Sequence, residues 1–380
     1  MIKGYKWDPY FMAVREAVSL FWGLVASDDS RKVLYILGRG FDPRTTYGVE
    51  LIPEPLRTRL NCLSIEMLGY GGHEADALKD LSVKNHEVLK SLLAIGSDIH
   101  EVEIHAWTGE TDARSRTGPD QALRLVSAET IDGYSDVVVD VSALPRGIYF
   151  PLLSRLAELC VKGSSVNLHV FVAEDPSLDN RIQESGLDED AYFVPPFRAA
   201  MELASDTPVV WLPLLGEAQQ PQVELVQALV RSKGEEVEVC PVLPLPSRNP
   251  RRADRLLRDY SSFLSSGWEN DSRNFVYVAE GNPFQAYRRL VQSARQYSNA
   301  LESIGGCRVV ISAHSSKLLS VGATLAAIEL KADGMKVGLA NVDATAYHIA
   351  PPSDGPFDKT HIVPHLLSLT GESYQGKPSE

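Results

Sequence analysis

Five clusters of polar residues in this 380-residue chain fall where a short apolar run ends and a helical pattern begins. That place matters. In parallel sheets, ligands bind beyond the carboxyl ends of the strands, where helix N-termini offer free N–H groups. The first cluster is Gly38-Arg39-Gly40-Phe41-Asp42-Pro43-Arg44, after Val33–Leu37. Gly38 and Gly40 would let the backbone approach a phosphate, and Asp42 and Arg44 would be presented to it. Glu66, near the end of the next strand, stands where a ribose-binding acid sits in dinucleotide folds. Pro43 occupies the place of the third glycine of G-x-G-x-x-G and has no N–H, so the NAD signature is incomplete. A structural turn with Asp42 paired to an arginine is an equal reading.

The second cluster is Asp140-Val-Ser142-Ala-Leu-Pro-Arg146. Asp140 is the single charge in an apolar strand, and a carboxylate there can orient a sugar hydroxyl or act as a base. Its bland counterpart is a cap or a buried Asp–Arg pair. The third cluster holds Arg248, Asn249, Arg251 and Arg252, with Arg255 and Arg258 following. Cations at a helix start oppose the helix dipole, which favours a bound anion, with a solvated basic face or an intersubunit contact as the alternative. The fourth is Glu280-Gly-Asn282, a possible ribose or base reader in which Asn282 is equally an ordinary cap before a proline. The fifth is Ser312-Ala-His314-Ser315-Ser316-Lys317, a helix start with hydroxyls and a lysine suited to phosphate. It is not a Walker A loop. Asp140, Glu280 and His314 are the candidate acid/base groups. No G-x-S-x-G elbow is present, and Gly72-His-Glu-Ala-Asp76 completes no metal-binding spacing, so no metal is expected and the cofactor stays open.

These clusters need a scaffold, and the apolar pattern supplies one. Strands are expected at 33–37, 60–68, 101–107, 137–141, 166–173, 209–215, 237–243, 275–279, 309–312 and 337–342. They read as continuous apolar runs, as strands buried on both faces should. Helices alternate with them at 78–95, 148–161, 221–232, 251–265, 283–302 and 316–332. The expected fold is α/β, with two Rossmann-like, doubly wound, mainly parallel sheets; one continuous large sheet is the rival. The expected division is a helical extension over 1–30, a first domain over 31–205, a second over 206–353, and a partly disordered tail over 354–380. Residues 9–26 show helical periodicity in Phe11, Val14, Val18, Phe21, Trp22 and Val25.

Composition narrows the function classes. A formal charge of −13 argues against general duplex nucleic-acid binding, which needs a basic face. The four cysteines, Cys62, Cys160, Cys240 and Cys307, lie in or beside apolar stretches without C-x-x-C spacing and read as core residues. No apolar run is long enough to span a bilayer, and residues 1–8 lack the order of a signal peptide, so a cytoplasmic location is expected.

Gly-Phe-Asp-Pro-Arg at 40–44, Asn-Pro-Arg-Arg at 249–252, Asn-Pro-Phe-x-x-Tyr at 282–287 and Ser-Lys at 316–317 together resemble a bacterial family associated with multi-gene anti-phage systems. The resemblance spans most of the chain. It brings no assigned activity or catalytic residues, and it implies a partner protein such as an ATPase or an effector enzyme. Three readings stay open at this point: a subunit that binds a nucleotide or phosphometabolite, a Rossmann-like hydrolase or transferase acting on a nucleotide, and a structural partner, or a homo-oligomer, that docks through its arginines.

Overall fold

The computed structural model describes residues 4–69, 75–93, 97–109, 114–161, 166–179, 181–202, 207–232, 236–265, 274–350 and 359–374. The chain divides into two units. One comprises Pro9–Gly186 with Ala344–Glu380, the other Leu187–Asp343 with Met1–Asp8. The division expected near residue 205 therefore falls at Gly186/Leu187, and the chain returns to the first unit at Ala344 rather than after 353.

The first unit is built from β1 (Phe11–Val14), α1 (Glu16–Ala26), β2 (Val33–Arg39), α2 (Tyr47–Glu50), α3 (Glu54–Arg57), β3 (Leu60–Leu68), α4 (Ala75–Leu92), β4 (Ile99–His105), the short pair β5 (Trp107–Thr108) and β6 (Ser115–Arg116), α5 (Gly118–Arg124), α6 (Ala128–Ile131), β7 (Asp136–Asp140), α7 (Arg146–Val161), β8 (Asn167–Glu174), α8 (Pro176–Asp179) and β9 (Ile182–Leu187). The second contains β10 (Tyr192–Phe193), α9 (Ala199–Glu202), β11 (Val209–Leu214), α10 (Gln220–Arg231), β12 (Val237–Val239), β13 (Val242–Pro244), α11 (Arg252–Asp259), α12 (Ser261–Ser265), β14 (Val276–Val278), α13 (Pro283–Ala300), β15 (Arg308–Ala313), α14 (Lys317–Ala332) and β16 (Val337–Asn341). The chain then adds β17 (Ala344–Ile349) and β18 (Val363–Ser368) to the first unit.

Two separate seven-stranded sheets result, as expected, and not one continuous sheet. The first runs β1-β18-β8-β7-β2-β3-β4. Its five strands β8, β7, β2, β3 and β4 are parallel, and β18 and β1 close one side as antiparallel additions. The second runs β10-β16-β15-β11-β13-β14, with β12 also pairing β11. Here β16, β15, β11, β13 and β14 are parallel, and β10 is antiparallel at the edge. Numbered by their order in the chain, the parallel strands of each unit lie in space as 3-2-1-4-5. Strand order reverses between the first and fourth, at β2/β7 in one unit and at β11/β15 in the other. That reversal defines a doubly wound sheet and opens a crevice at the carboxyl ends of those two strands.

The strands form where they do because they are apolar on both faces. Every residue of β7, β8, β11 and β15 is buried. Several expected elements differ. The run 237–243, read as one strand, divides into β12 and β13, and the helix expected over 251–265 divides into α11 and α12. The periodicity over 9–26 covers a strand, β1, and then a helix, α1, which buries Val18, Trp22 and Val25 against the first sheet. Phe11 and Val14 fit a helical repeat by spacing alone, yet they pair with Ser368 and His365 of β18. The expected tail likewise contributes β18, whose six residues lie beside β8. Among the described residues no helix is long and apolar enough to cross a membrane. All four cysteines are free and buried, and burial pushes the Cys62 thiol up to about 12.

One polar cluster lies inside the first unit, at the amino end of its sheet. His169 bridges Ser368 Oγ (3.1 Å) and Asp136 Oδ1 (3.2 Å), and Asp136 also meets Arg31 (3.1 Å), Ser135 Oγ (2.7 Å) and Asn167 (3.1 Å). Burial alone would raise the Asp136 pKa, but the His169 bond, the Ser135 bond and the Arg31 charge outweigh it and hold it below the ordinary value. The folded carboxyl is thus more acidic than the unfolded one. Its contribution to stability is complete above about pH 4 and is lost as pH falls through the folded value. Asp136→Asn should lower stability at pH 7 by about 3 kcal/mol, because His169 loses its buried carboxylate and Arg31 the most buried of its carboxylate partners. It should also flatten the acid limb of a plot of Tm against pH. An acid limb identical to wild type would show that Asp136 does not set it.

Candidate functional site

The five expected clusters divide between the units. Residues 38–44 and 140–146 belong to the first, and residues 248–252, 280–282 and 312–317 to the second. Each group gathers at the carboxyl edge of its own parallel sheet, but the two switch points are built very differently.

In the first unit the crevice is filled from within. Gly38, the second-last residue of β2, lies directly against the loop after β7, where an added Cβ would stand 3.0 Å from Leu144 and 3.1 Å from the Ala143 carbonyl oxygen. Asp140 is 1% exposed. It accepts the Ser142 N–H (2.9 Å) and the Tyr35 hydroxyl (3.0 Å). Ser142 Oγ in turn accepts the Ala173 N–H (2.9 Å). Gly48 of α2 lies on this group so closely that a Cβ there would fall within 3.0 Å of both the Tyr35 hydroxyl and Asp140. Burial, and then the Asp140 charge, push the Tyr35 pKa well up.

Asp42 and Arg44 form the clamp over this plug. Arg44 Nε and Nη2 meet Asp42 at 3.0 and 2.8 Å, while Nη1 reaches Asp179 at 2.7 Å. The Arg44 side chain is 4% exposed. Asp42 also accepts the Arg44 N–H (2.9 Å) and so caps the 3-10 turn Pro43–Thr46. The anion at the first helical turn of this unit is therefore the protein's own carboxylate. Of the two readings of this loop, the geometry favours the structural turn over a loop that presents Asp42 and Arg44 to a ligand. Gly40 has open space around an added Cβ, so no close approach requires glycine there. Glu66 pairs with Arg39 (3.0 Å), and Arg146 lies 3.9 Å from Glu184.

The second unit carries the same crossover with different contents. Gly216, two residues past β11, packs on the loop after β15, and an added Cβ would fall inside 3.0 Å of the His314 carbonyl oxygen. The buried Tyr260 hydroxyl donates to the Gly216 carbonyl (2.9 Å) from the other side. Ala218 follows with a positive φ of 56°, a backbone strain worth about 1–3 kcal/mol for a non-glycine residue. No side chain caps α10 at Gln219. The other two long helices that begin at this edge are capped: Asn282 Oδ1 accepts the Gln285 N–H (3.0 Å), and Ser316 Oγ accepts the Leu319 N–H (3.4 Å). Helices α13 and α14 also pack tightly near these ends, with Gly322 on the Pro283 carbonyl.

Arg252 holds the rim together. It binds both oxygens of Glu217 (3.0 and 2.6 Å) and one oxygen of Glu280. The other Glu280 oxygen accepts the Arg248 N–H (2.8 Å). Burial alone would lower the Arg252 pKa, and the two carboxylates more than reverse that. Glu280 and Arg252 thus act on each other, and Glu280 is tied as a loop brace, which leaves less scope for it as an acid or base. Ser312 faces the core, where its Oγ accepts the Trp211 indole N–H (3.0 Å). Its place among phosphate ligands is corrected accordingly. His314 and Ser315 are 4% and 6% exposed; Ser316 and Lys317 are half-buried at the start of α14. Asn249 accepts the Arg251 N–H (3.0 Å), and Arg248, Asn249 and Arg251 are exposed.

Sequence reading missed Gly216, Glu217 and Tyr260. The signal was the same strand–turn–helix pattern at 209–220, but nothing in it marks β11 as the strand at the reversal. Among the described residues no group of three or more His, Cys, Asp or Glu is placed to hold a metal ion. The chain around Gly72-His-Glu-Ala-Asp76 lies mostly outside the described residues.

Gly216→Ala should force the β11 and β15 loops apart and cost at least about 2 kcal/mol of stability, whereas Gly40→Ala should change it by under about 0.5 kcal/mol. Chemical denaturation of both variants checks the contrast. Equal stability of the two would contradict the close packing at Gly216.

No protein-family model matches the chain, and no curated protein matches it by sequence. Among solved structures it is similar to a Listeria monocytogenes protein described as a UDP-N-acetylglucosamine 2-epimerase, at 12% identity over 75% of this chain and 74% of that one, with a TM-score of 0.20. A likeness at that score carries nothing across, and the α/β, doubly wound class follows from the strand order and the parallel ladders.

Proposed function

We propose that the second unit binds an anionic small molecule, a nucleotide or a phosphate-bearing metabolite, at the β11/β15 switch point. One observation carries this reading. In the first unit Asp42 caps the 3-10 turn Pro43–Thr46 that follows β2, while in the second unit the loop after β11 leads into the twelve-residue α10 with no side-chain cap. Phosphate is the chemistry that such a helix start takes, and Lys317, the first residue of α14, adds a cation at the same sheet edge. The surrounding rim is already braced by Arg252, Glu217, Glu280 and Tyr260, so it needs little ordering on binding.

A binding subunit suits this geometry better than a hydrolase or transferase, because both rim carboxylates are occupied by Arg252. The resemblance of its motifs to an anti-phage family is what suggests a place for the subunit in a multi-protein bacterial system. A second reading, docking of a partner protein, is favoured by a specific pattern. Arg251, Arg255 and Arg258 recur at four- and three-residue spacing on the exposed face of α11, opposite its buried Ala253 and Leu256.

Thermal shift against ATP, ADP and nucleotide sugars, with and without Mg²⁺, separates the two. Binding at a concentration 100 times Kd should add about 2.7 kcal/mol of stability. Lys317→Ala should weaken binding about ten-fold with little change in the unliganded Tm. Arg252→Ala should lower both binding and Tm, since Glu217 and Glu280 would repel each other. A flat response to every nucleotide, together with capture of an acidic partner that Arg251→Glu/Arg255→Glu abolishes, would replace the ligand reading with the docking one.

A further inference from the structure

The first eight residues belong to the second unit, although the chain enters the first unit immediately after them, at Pro9. Residues 4–8 lie as a short segment across α13 and α14, and side chains of those two helices bind its backbone. The Lys6 N–H donates to Glu329 (3.1 Å) and the Trp7 N–H to the Tyr287 hydroxyl (3.4 Å); Arg295 donates to the Gly4 carbonyl (3.1 Å). Tyr287 and Glu329 are also hydrogen-bonded to each other, and Arg295 binds Glu329 (2.6 Å) and Asp333 (2.7 Å).

Apolar anchoring accompanies these polar contacts. Trp7 is 1% exposed and meets Tyr287 edge-on at 5.2 Å between ring centroids. Tyr5 lies within reach of two guanidinium groups, those of Arg288 (5.2 Å) and Arg295 (5.4 Å). Asp8 then pairs with Arg288 (3.0 Å). Backbone reading by side chains, one buried aromatic anchor and flanking charge pairs are the features by which proteins hold short peptides. The buried Glu329 is central, because it joins the segment, α13 and α14 through one carboxylate.

We propose that residues 4–8 are a releasable strap seated in a peptide-binding groove on α13 and α14, and that the strap fixes the packing of these two helices. Their N-terminal ends carry Asn282, Ser316 and Lys317, so the strap also controls affinity at the ligand site; this last step rests on the proposed function. The groove accepts a peptide of the same chemistry in trans: an aromatic–basic–aromatic–acidic run with an accessible backbone.

Hydrogen exchange on the full chain, on a variant lacking residues 1–8 and on full-length Trp7→Ala tests this. Exchange in α13 and α14 should rise at least about ten-fold in both variants, while β11 and β15 keep their protection. A synthetic peptide of residues 1–10 added to the shortened variant should restore protection in both helices. Unchanged exchange, failure of the peptide to restore it, or loss of protection across the whole sheet in both variants would each overturn the strap. The ligand step has its own readout: the ATP–Mg²⁺ thermal shift should shrink in the shortened variant and recover with the peptide. If wild type shows no shift with any nucleotide, the ligand site fails and the strap still stands on the exchange data. If the shift is the same with and without residues 1–8, the coupling between strap and site is wrong.

Discussion

The constraint on which both units depend is the close passage of two loops where strand order reverses. In a 3-2-1-4-5 sheet, the chain leaves the first strand beside the chain leaving the fourth, and neither loop can move away without breaking a parallel ladder. Glycine resolves the crowding in each case: Gly38 against Ala143 and Leu144, and Gly216 against His314. The sheets are parallel, so helices must cover both faces, and the start of every crossover helix is carried to the same edge as these loops. A place suited to negative charge is thus a consequence of topology before any particular side chain is considered.

The units differ in how they satisfy that charge preference. The first supplies Asp42 and then neutralises it with Arg44, which Asp179 holds from the far side. It also lowers α2 onto Tyr35 and Asp140, leaving those side chains almost no solvent exposure. These groups serve cohesion: a buried ion pair stabilises little on balance, but the loss of one partner is costly. The second unit places its charges at the rim instead. Arg252 draws two glutamates from different loops into one brace, Gly216 packs on the His314 carbonyl, and α10 begins without a side-chain cap. One fold thus yields a sealed switch point and a braced one, a reminder that site chemistry, and not fold, carries function.

Motifs were legible to different depths. Asp42 and Arg44 were visible as a possible Asp–arginine pair, and so was Asn282 as a cap, because both interactions are local in sequence. Arg252 was visible as an arginine at a helix start that called for an anion. Its partners were not, because Glu217 and Glu280 lie 35 and 28 residues away on either side and meet it only through the sheet order. Ser312 read as a phosphate ligand at the end of its strand, but β15 runs on to Ala313 and the Ser312 hydroxyl lies in the core, where it accepts the Trp211 indole N–H.

The sequence alone settled the things that short-range physics controls. Continuous apolar runs marked most of the buried parallel strands to within a residue or two, although the run 237–243 holds two strands, and three- to four-residue periodicity marked the crossover helices. Tertiary structure decided what depends on distant pairing. Strand order chose which loops meet, and β1 became a strand because β18, more than 340 residues later, offered it an edge. The same holds for residues 4–8, which are too short to fold by themselves and take their place from side chains on α13 and α14. Local preference is written in neighbouring residues, whereas a contact between distant segments exists only once the chain between them has been closed by the fold.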